Sequence, residues 1–577
     1  MGQYSYRPLQ GGQIRLVELI PGQGGLEIRL HTRKLDQSGP FSFLSYAWGN
    51  DYDVPGLKCE GDQIRIRGHL RNFLLEFRSQ YQGHLLFIDE VCISQEDVHE
   101  RSLQVQMLPQ INHKAMFTFC WVDAPEPGRV SRLIADLCRI SRLAPLCNSS
   151  FPYRNYDPCR SGSKITSGQL DLFQSETEST SPELWEALNT FLSDDYFQRV
   201  WVSLDWYWSK ELRFVCRGAT ISWDELCLAL RTCFRFSVRN RLTSIGFFNL
   251  LVMDLVRKRT LLHQVRPTLY EVLSTWHSCR LQAVNPRDKL FAPLSIIQEG
   301  RSQHGINIDY SIELEENYSQ AASALGVLGL ALAKGPSLTL HTASWVPDWR
   351  ATRDHFLLSQ SDNQFTGSPG IPPDVFGDLP SHTLHCRGIV ADRIKKISSC
   401  LPSRRPCDHY IAGGANSIVF DEWFEFAKDH ARRSRRSPFD ETKLLFQFAE
   451  TIQARGANTI WEPEWDESNI ISRMRDFLEF LDEEDADETL EIRLFYAACF
   501  PAHGQRFGIT ERGYYCLLPQ EAKRADLVCI VYGNNVPILL RRHVGHYQNL
   551  GECYVNGLMH YDASILGDCE EIMFNIM

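Results

Sequence analysis

Two aspartates in apolar segments are the residues of this 577-residue chain best placed for chemistry. Asp89 follows the apolar run HLLFI, and in open α/β sheets ligands collect beyond the carboxyl ends of the strands. Asp205 lies in the tryptophan-rich segment WVSLDWYW, an apolar setting that raises the pKa of a carboxyl and suits proton transfer. Structural roles remain open for both: Asp89 could cap the next loop or pair with Arg101, and Asp205 could be an exposed strand-end carboxylate.

A Trp-Gly pair and a Glu-Arg pair are the remaining binding candidates. Trp48 could offer an aromatic face to a ligand while Gly49 allows close backbone approach, or the two could form a packed aromatic beside a tight turn. Glu100 and Arg101 lie early in a predicted helix. They could reach a ligand phosphate, or form a local ion pair that fixes the loop after the strand.

Charge and hydropathy argue against nucleic acid and membrane as partners. The 60 basic and 71 acidic side chains give a net charge of -11, which disfavours a surface that tracks phosphates. The most apolar stretch, 321–333, is shorter than the roughly 20 residues needed to cross a bilayer. It predicts a buried helix, and the start of the chain has no apolar signal segment.

The 18 cysteines are scattered without a C-x-x-C pair, and many lie in apolar runs. This pattern predicts reduced core thiols, and hence the cytoplasm, instead of disulfides. Cys92 has no basic neighbour that would lower its pKa, so a core thiol is favoured over a nucleophile. His543 and His546 lack further ligands at metal spacing. The common phosphate-loop, hydrolase and dinucleotide signatures are absent from the sequence, so we predict no cofactor.

Short β-like runs alternate with helix-like runs from residue 41 to about 145. This order predicts an α/β unit with a parallel sheet flanked by helices. The predicted strands are FSFLSYAW, HLLFIDEVCI, AMFTFCWV and, later, RVWVSLDW.

Helices are predicted from apolar residues at i, i+3, i+4 and i+7 starting at Leu70, and again from Val130. Another begins near Asp97, with Glu100 placed as in a capping box, and Pro109 is expected to kink or end it. A further helix begins after Ser222, whose side chain can act as its N-cap.

Two regions are predicted, an α/β domain over 1–240 and a mixed α+β region over 241–577. Within the first, the Ser/Thr/Gly-rich stretch 146–185 predicts a surface insertion or linker. The second is expected to contain, in order, helices to about 335, a Gly/Pro-rich loop at 360–381, more helices, and strands over 505–560.

Several motif blocks resemble the heterokaryon incompatibility (HET) family of fungi. They are LSYAWG (44–49), FIDEVCISQEDVHERSLQVQML (87–108), and YFQRVWVSLDW followed by VCRGATISWDEL. Further blocks typical of long members are NPRDKLF (285–291), the Asp309-Tyr310 pair, SWVPDW (344–349) and a terminal block over 506–559. The resemblance covers most of the chain. It departs from the family at Phe87, where Trp is usual, and at Leu204-Asp205, which replaces Gln-Glu.

The resemblance implies non-self recognition coupled to programmed cell death, with the remainder of the chain regulating the N-terminal domain or sensing a partner. The expected partner is a protein or an allelic variant from another locus, and self-association is possible. HET domains are distantly similar to TIR domains, some of which cleave NAD with a glutamate, so the resemblance makes Asp205 the catalytic candidate. An NAD-cleaving enzyme and an inactive paralogue are therefore the alternatives.

Overall fold

The computed structural model describes most of the chain, with gaps distributed along it. The described residues are those of 2–577 other than 23, 50–55, 81–82, 124–126, 148–181, 217, 237–243, 264–266, 298–305, 307, 335–340, 352–356, 361–364, 369–372, 374, 379–381, 404–414, 434–437, 456–465, 483–488, 490–491, 493–494, 497, 561 and 563–568. The predicted insertion at 146–185 therefore lies largely outside them.

A mixed sheet forms the centre of the N-terminal half. In spatial order its strands are β5 (Asp62–Ile64), β4 (Leu57–Cys59), β2 (Glu27–Lys34), β1 (Gln13–Leu19), β6 (Leu85–Phe87), β3 (Ser42–Tyr46), β7 (Thr118–Trp121), β8 (Leu212–Cys216) and β9 (Ala219–Ser222).

The four central strands, β6, β3, β7 and β8, are parallel, whereas the pairs at both edges include antiparallel ones. Strand β3 is buried at every position, as expected for a parallel strand covered on both faces. The predicted α/β class is confirmed, and the predicted strand pair LSYAWG and LLFIDEVC is adjacent in the sheet.

Helices cover both faces of this sheet. They are α1 (Gly68–Gln80), α2 (Asp89–Cys92), α3 (Val98–Lys114), α4 (Pro127–Cys147), α5 (Pro182–Leu192), α6 (Val200–Trp208), α7 (Trp223–Phe236) and α8 (Ile245–His263). Leu70, Phe73, Leu74 and Phe77 of α1 are buried on one face of the sheet, and α4 to α8 build the core on the other.

Two predicted strands are wrong in part or in full. RVWVSLDW forms helix α6, because its apolar residues recur on every side of the segment and both a buried strand and a buried helix fit that pattern. In HLLFIDEVCI the strand ends at Phe87, and α2 begins at Asp89.

The predicted N-caps are observed. Pro109 was expected to kink or end its helix, and the helix does not end there. Asp97 accepts hydrogen bonds from the backbone N–H groups of His99 and Glu100. Ser222 and Glu225 form the reciprocal bonds of a capping box at α7. Helix α3 continues through Pro109 to Lys114.

The downstream half combines helices with a closed β structure. Its helices are α9 (Leu269–Ser278), α10 (Asp288–Leu294), α11 (Leu314–Leu325), α12 (Gly329–Leu332), α13 (Ala415–Arg433), α14 (Glu441–Ile452) and α15 (Glu467–Asp482). Its strands are β10 (Val375–Asp378), β11 (Thr383–Cys400), β12 (Gln505–Thr510), β13 (Tyr515–Pro519), β14 (Leu527–Val531), β15 (Ile538–Arg542), β16 (Tyr547–Glu552), β17 (Tyr554–Val555) and β18 (Glu571–Ile576).

The strand β11 joins these strands into a barrel. It pairs with β14 and with β18, and the chain of pairs β14-β15-β16-β18 returns to it, so the strands close into a ring. Its last residues pair with β12 and extend the sheet through β13 to β17. The predicted strand-rich end is confirmed, but β11 itself was missed.

The predicted boundary at 240 lies between α7 and α8, within a gap of the described chain. Phe247 and Leu250 of α8, and Val272 and Trp276 of α9, pack in the same core as α4 to α7. Among the helices within the described ranges, none is long and apolar enough to span a bilayer.

Candidate functional site

Trp48 and Asp89 meet at the carboxyl ends of two neighbouring parallel strands. Trp48 follows β3 and Asp89 follows β6, and the Phe43–Phe87 pair sets the register between them. The Trp48 indole Nε1–H lies 3.1 and 3.0 Å from the two carboxylate oxygens of Asp89. The Glu90 backbone N–H also donates to Asp89 at 2.7 Å. Asp89 thus starts α2 and accepts a hydrogen bond from Trp48 at the same time.

Asp205 lies on α6 against β3 and α3, within electrostatic reach of Asp89. Its Oδ1 accepts a hydrogen bond from Asn112 Nδ2 at 3.2 Å, and Ser45 of β3 also hydrogen-bonds to its carboxyl. Burial raises the pKa of Asp205 to about 8, and the nearby charge of Asp89 adds to the increase. Burial also raises the pKa of Asp89. Asp205 therefore holds its proton at neutral pH and can donate it as a general acid.

Two arginines supply the positive charge of this site. The guanidinium carbons of Arg67 and Arg199 lie 4.5 and 5.5 Å from the centre of the Trp48 ring. The charge of Arg199 lowers the pKa of both Asp89 and Asp205 against the larger effect of burial. Arg67 forms a 2.8 Å ion pair with Glu90. The Trp48 ring is thus packed against cations, and its predicted role in stacking a ligand stays a prediction.

Glu100 and Arg101 do not pair with each other, and neither points at the Asp89 carboxylate. Both oxygens of Glu100 bind the guanidinium of Arg15, at 2.7 and 2.9 Å, and the pair is buried. Glu100 Oε1 also accepts from the Ser94 backbone N–H at 2.8 Å. Glu100 therefore ties α3 to β1 and to the loop after α2.

Arg101 faces the downstream half of the chain. Its guanidinium carbon lies 5.2 Å from the ring centre of Tyr310, and the Tyr310 hydroxyl donates to Asp288 Oδ1 at 2.7 Å. Trp201 of α6 also hydrogen-bonds to Asp288. Because Trp201 and Asp205 are four residues apart on α6, they share one face of that helix.

Asp288 brings a third acidic group to the cluster. Burial raises its pKa, against the lowering effects of its hydrogen bonds to Trp201 and Tyr310 and of the charges of Arg101 and Arg199. Arg199 consequently acts on Asp89, Asp205 and Asp288 together. Among the described residues its guanidinium makes no ion pair within 4 Å, so this cation is shared and not committed to one carboxylate.

Gly49 and Cys92 have structural explanations. Gly49 has φ +69°, a backbone conformation in which a side chain would be strained, although a Cβ there would meet the His69 ring at an ordinary contact distance of 3.5 Å. Cys92 is buried, and burial raises the pKa of its thiol to about 12. That thiol is not a ready nucleophile.

Within the described ranges, no group of three or more His, Cys, Asp or Glu side chains is arranged to hold a metal ion. His543 and His546 stack on each other with ring centres 5.0 Å apart on an exposed hairpin. Neither belongs to the acidic cluster.

Sequence reasoning missed several residues of this site, among them Arg199, Asn112, Asp288 and Tyr310. Three of them stand in quoted motif blocks, Arg199 in QRVW, Asp288 in NPRDKLF and Tyr310 in the Asp-Tyr pair. The only signal for these three residues was that their blocks belong to the same family resemblance as the N-terminal blocks. Nothing in the spacing of the blocks indicates that their side chains lie close together. Asn112 carried no signal, because an amide within an amphipathic helix is ordinary.

Two family profiles match separate parts of the chain. One, described as "Heterokaryon incompatibility protein (HET)", matches residues 41–203, and the other, described as "Het-6 beta-barrel domain", matches residues 419–572. The first covers the strands and helices that carry Trp48, Asp89 and Arg199, and the second covers most of the barrel strands.

A curated relative matches along almost the whole length. Heterokaryon incompatibility protein 6, OR allele, of Neurospora crassa is 20% identical, over 97% of this chain and 95% of the relative. No solved structure matches the chain. Along almost its whole length this chain is therefore similar to a heterokaryon incompatibility protein, and residues 41–203 match the HET profile.

Proposed function

We propose that this chain acts in heterokaryon incompatibility as a trigger of cell death that its own downstream half restrains. The N-terminal α/β domain carries the effector site around Asp89 and Asp205. The downstream half holds that site in a quiet state until a protein partner, such as an allelic variant from another locus, binds. The cytoplasm is the proposed compartment, because the cysteines along the chain suit a reducing environment.

One observation carries the proposal. Residues from three N-terminal motif blocks, represented by Trp48, Asp89 and Arg199, lie in one cluster with Asp288 and Tyr310 from two downstream blocks. Because the effector site includes side chains of the downstream half, a conformational change in that half can alter the site. Family resemblance alone would place these motifs in one protein without explaining why they occur together.

The proposed switch is a shift between two populations. In the quiet state Asp288 accepts hydrogen bonds from Trp201 and Tyr310 and thereby holds α6 against the downstream half. A partner that favours separation of these elements would free Trp201 and change the surroundings of Asp205 on the same helix face. Since one hydrogen bond contributes about 1 kcal/mol, losing it shifts such an equilibrium about fivefold.

The test is expression of the full chain from a titratable promoter in a fungal host, with growth as the readout. Tyr310→Phe removes the hydroxyl that donates to Asp288, so we expect growth arrest at about fivefold lower expression than for the wild type. Tyr515→Phe is the matched control, because it removes a hydroxyl that binds the Ala427 carbonyl in the downstream core. Equal toxicity of Tyr310→Phe and wild type would refute restraint by this contact.

An NAD-cleaving activity is the second candidate. It is favoured by burial, which raises the pKa of Asp205 to about 8 and also raises the pKa of Asp89 nearby, so a carboxyl that holds its proton at neutral pH lies within electrostatic reach of a second one. Purified full-length protein would be incubated with NAD and assayed for nicotinamide. We expect release by the wild type, loss in Asp205→Asn, and retention or increase in Asp205→Glu, which restores the residue usual in the family.

The exposed Asp195 provides the control for that assay, as Asp195→Asn changes charge on the surface near α6. Growth arrest without nicotinamide release would assign the protein to signalling by association. Absence of both, in a folded protein, would identify an inactive paralogue.

A further inference from the structure

A second pocket lies at the opposite end of the N-terminal sheet. It occupies about 880 Å³ between the start of β1, the end of β2, and the C-terminal ends of α3 and α6. That volume is within the range of about 300 to 1,000 Å³ typical of small-molecule sites. None of the residues around Asp89 contributes to its lining, so it is a separate site.

The walls of this pocket are mainly apolar, with polar side chains such as Gln110 and Thr260 among them. Met107 of α3, Trp208 of α6 and Ile296, two residues after α10, line it, and Leu261 of α8 stands at its mouth with 60% of its surface exposed. The indole Nε1–H of Trp208 is buried without a hydrogen-bond partner among the described residues. A buried donor without an acceptor is costly, and a bound ligand that accepts a hydrogen bond would remove that cost.

The rim of the pocket is basic, although the protein as a whole has a net charge of -11. Lys34, Lys114 and Lys210 line it and are exposed, with Asp36 as the acidic residue among the lining side chains. In the described part of the chain these three ammonium groups make no ion pair within 4 Å. They are therefore available to a ligand.

The negative C-terminal end of α6, which lies beside Lys210, is compensated by another residue. The carbonyl groups of Trp206 and Tyr207 at the end of α6, and that of Lys210 two residues beyond it, accept hydrogen bonds from the buried Arg257 guanidinium. Because Arg257 compensates the negative end of that helix, the rim lysines remain a net positive field over an apolar cavity.

We propose that this pocket binds an amphipathic anion, a molecule with an apolar body and one carboxylate or phosphate head group. The apolar body packs between Met107, Trp208 and Leu261, and the head group lies between the ammonium groups of Lys114 and Lys210. The Trp208 N–H donates to an oxygen near the head. This site and its ligand do not depend on the function proposed above.

The test is calorimetric titration of the full chain with three probes that share a twelve-carbon chain: dodecanoate, dodecyl phosphate and dodecanol. We expect saturable binding of both anions, at least about tenfold tighter than binding of the neutral alcohol. The tighter of the two anions identifies the head group. Absence of saturable anion binding, or equal affinity for the alcohol, would overturn the proposal.

Three variants locate the binding. Lys114→Ala combined with Lys210→Ala should weaken anion binding about tenfold while leaving dodecanol unchanged. Leu261→Asp should weaken all three probes, because it places a carboxylate at the mouth. Lys58→Ala, an exposed lysine of β4 at the other edge of the sheet, is the matched control. Since all these side chains are exposed, thermal melting should match the wild type. Binding that persists unchanged in the pocket variants would place it elsewhere and refute the assignment.

Discussion

Burial keeps the Asp205 carboxyl protonated at pH values at which an exposed aspartate is ionised. The folded chain keeps its proton up to a pKa of about 8, whereas the ordinary pKa is 3.8. Between these values the folded state binds more protons than the unfolded state. The stability that Asp205 contributes is therefore fully present below pH 3.8 and is lost as the pH rises through 8.

The first prediction follows from this loss of stability with rising pH. Wild-type protein should lose thermal stability between pH 5 and pH 8, and Asp205→Asn should show a shallower decline, because the amide cannot ionise. Part of the decline should persist in the variant, since the pKa of Asp89 is also raised. Thermal melts of both proteins across this pH range give the comparison. Parallel curves would mean that Asp205 does not titrate in this range.

The second prediction concerns the donor to Asp89. Trp48→Phe removes the indole N–H that binds both carboxylate oxygens, so the Asp89 carboxylate keeps the Glu90 backbone N–H as its hydrogen-bond donor. We expect a loss of about 1 to 3 kcal/mol in the free energy of unfolding and a weaker growth arrest. Trp208→Phe, at the C-terminal end of α6, is the control for losing an indole whose N–H has no hydrogen-bond partner among the described residues. Unchanged growth arrest would separate this hydrogen bond from function.

For single residues, the sequence predicted their positions in the fold better than it predicted their hydrogen-bond and ion-pair partners. Trp48 and Asp89 were expected to be close because their strands were expected to be neighbours. Glu100 was a binding candidate, and its carboxylate is instead held by Arg15, 85 residues away in the chain. No local pattern encodes such a pair, because Arg15 lies on a strand that was not itself predicted.

A helix or strand was predicted correctly where its apolar residues lie on one side, and wrongly or not at all where they do not. Helix α1 was predicted because Leu70, Phe73, Leu74 and Phe77 mark one face. Helix α6 was predicted as a strand because its residues are buried on most sides, which removes the periodicity that separates the two structures. Strands β1 and β2 were missed because charged residues interrupt them, and Arg15 is nevertheless buried.

The third prediction tests how α3 is attached to β1. Glu100→Leu should cost about 3 to 5 kcal/mol in the free energy of unfolding, because it leaves the buried Arg15 guanidinium without its carboxylate. Arg15→Met combined with Glu100→Leu should recover part of this loss. Recovery is incomplete, since Arg15 also donates to the Cys92 and Arg7 carbonyls. Chemical denaturation of the two variants gives the difference. A double variant less stable than Glu100→Leu would contradict a penalty from the unpaired charge.

Over the whole molecule, the core beside the N-terminal sheet is completed by side chains from beyond residue 240. The core on the α4-to-α8 side of the sheet includes Phe247 and Leu250, and also Val272 and Trp276 from α9. Trp276 donates a hydrogen bond of 2.8 Å to Ser203 of α6. The helix that carries Asp205 is therefore supported by residues beyond the sequence-based boundary at 240. Composition and motif spacing could not indicate this, because a boundary in sequence says nothing about which side chains fill a core.

The last prediction turns this dependence into a test of the boundary. A fragment ending at residue 240 lacks Phe247, Leu250 and Trp276, whose loss leaves cavities that cost several kcal/mol each at buried positions. We expect it to lack a cooperative thermal transition and to be degraded rapidly by a protease. A fragment ending at residue 297 keeps these residues together with Asp288, and we expect it to melt cooperatively. Circular dichroism and limited proteolysis of the two fragments provide the measurement. A cooperative transition in the shorter fragment, at the same temperature as in the longer one, would show that the N-terminal domain ends at 240.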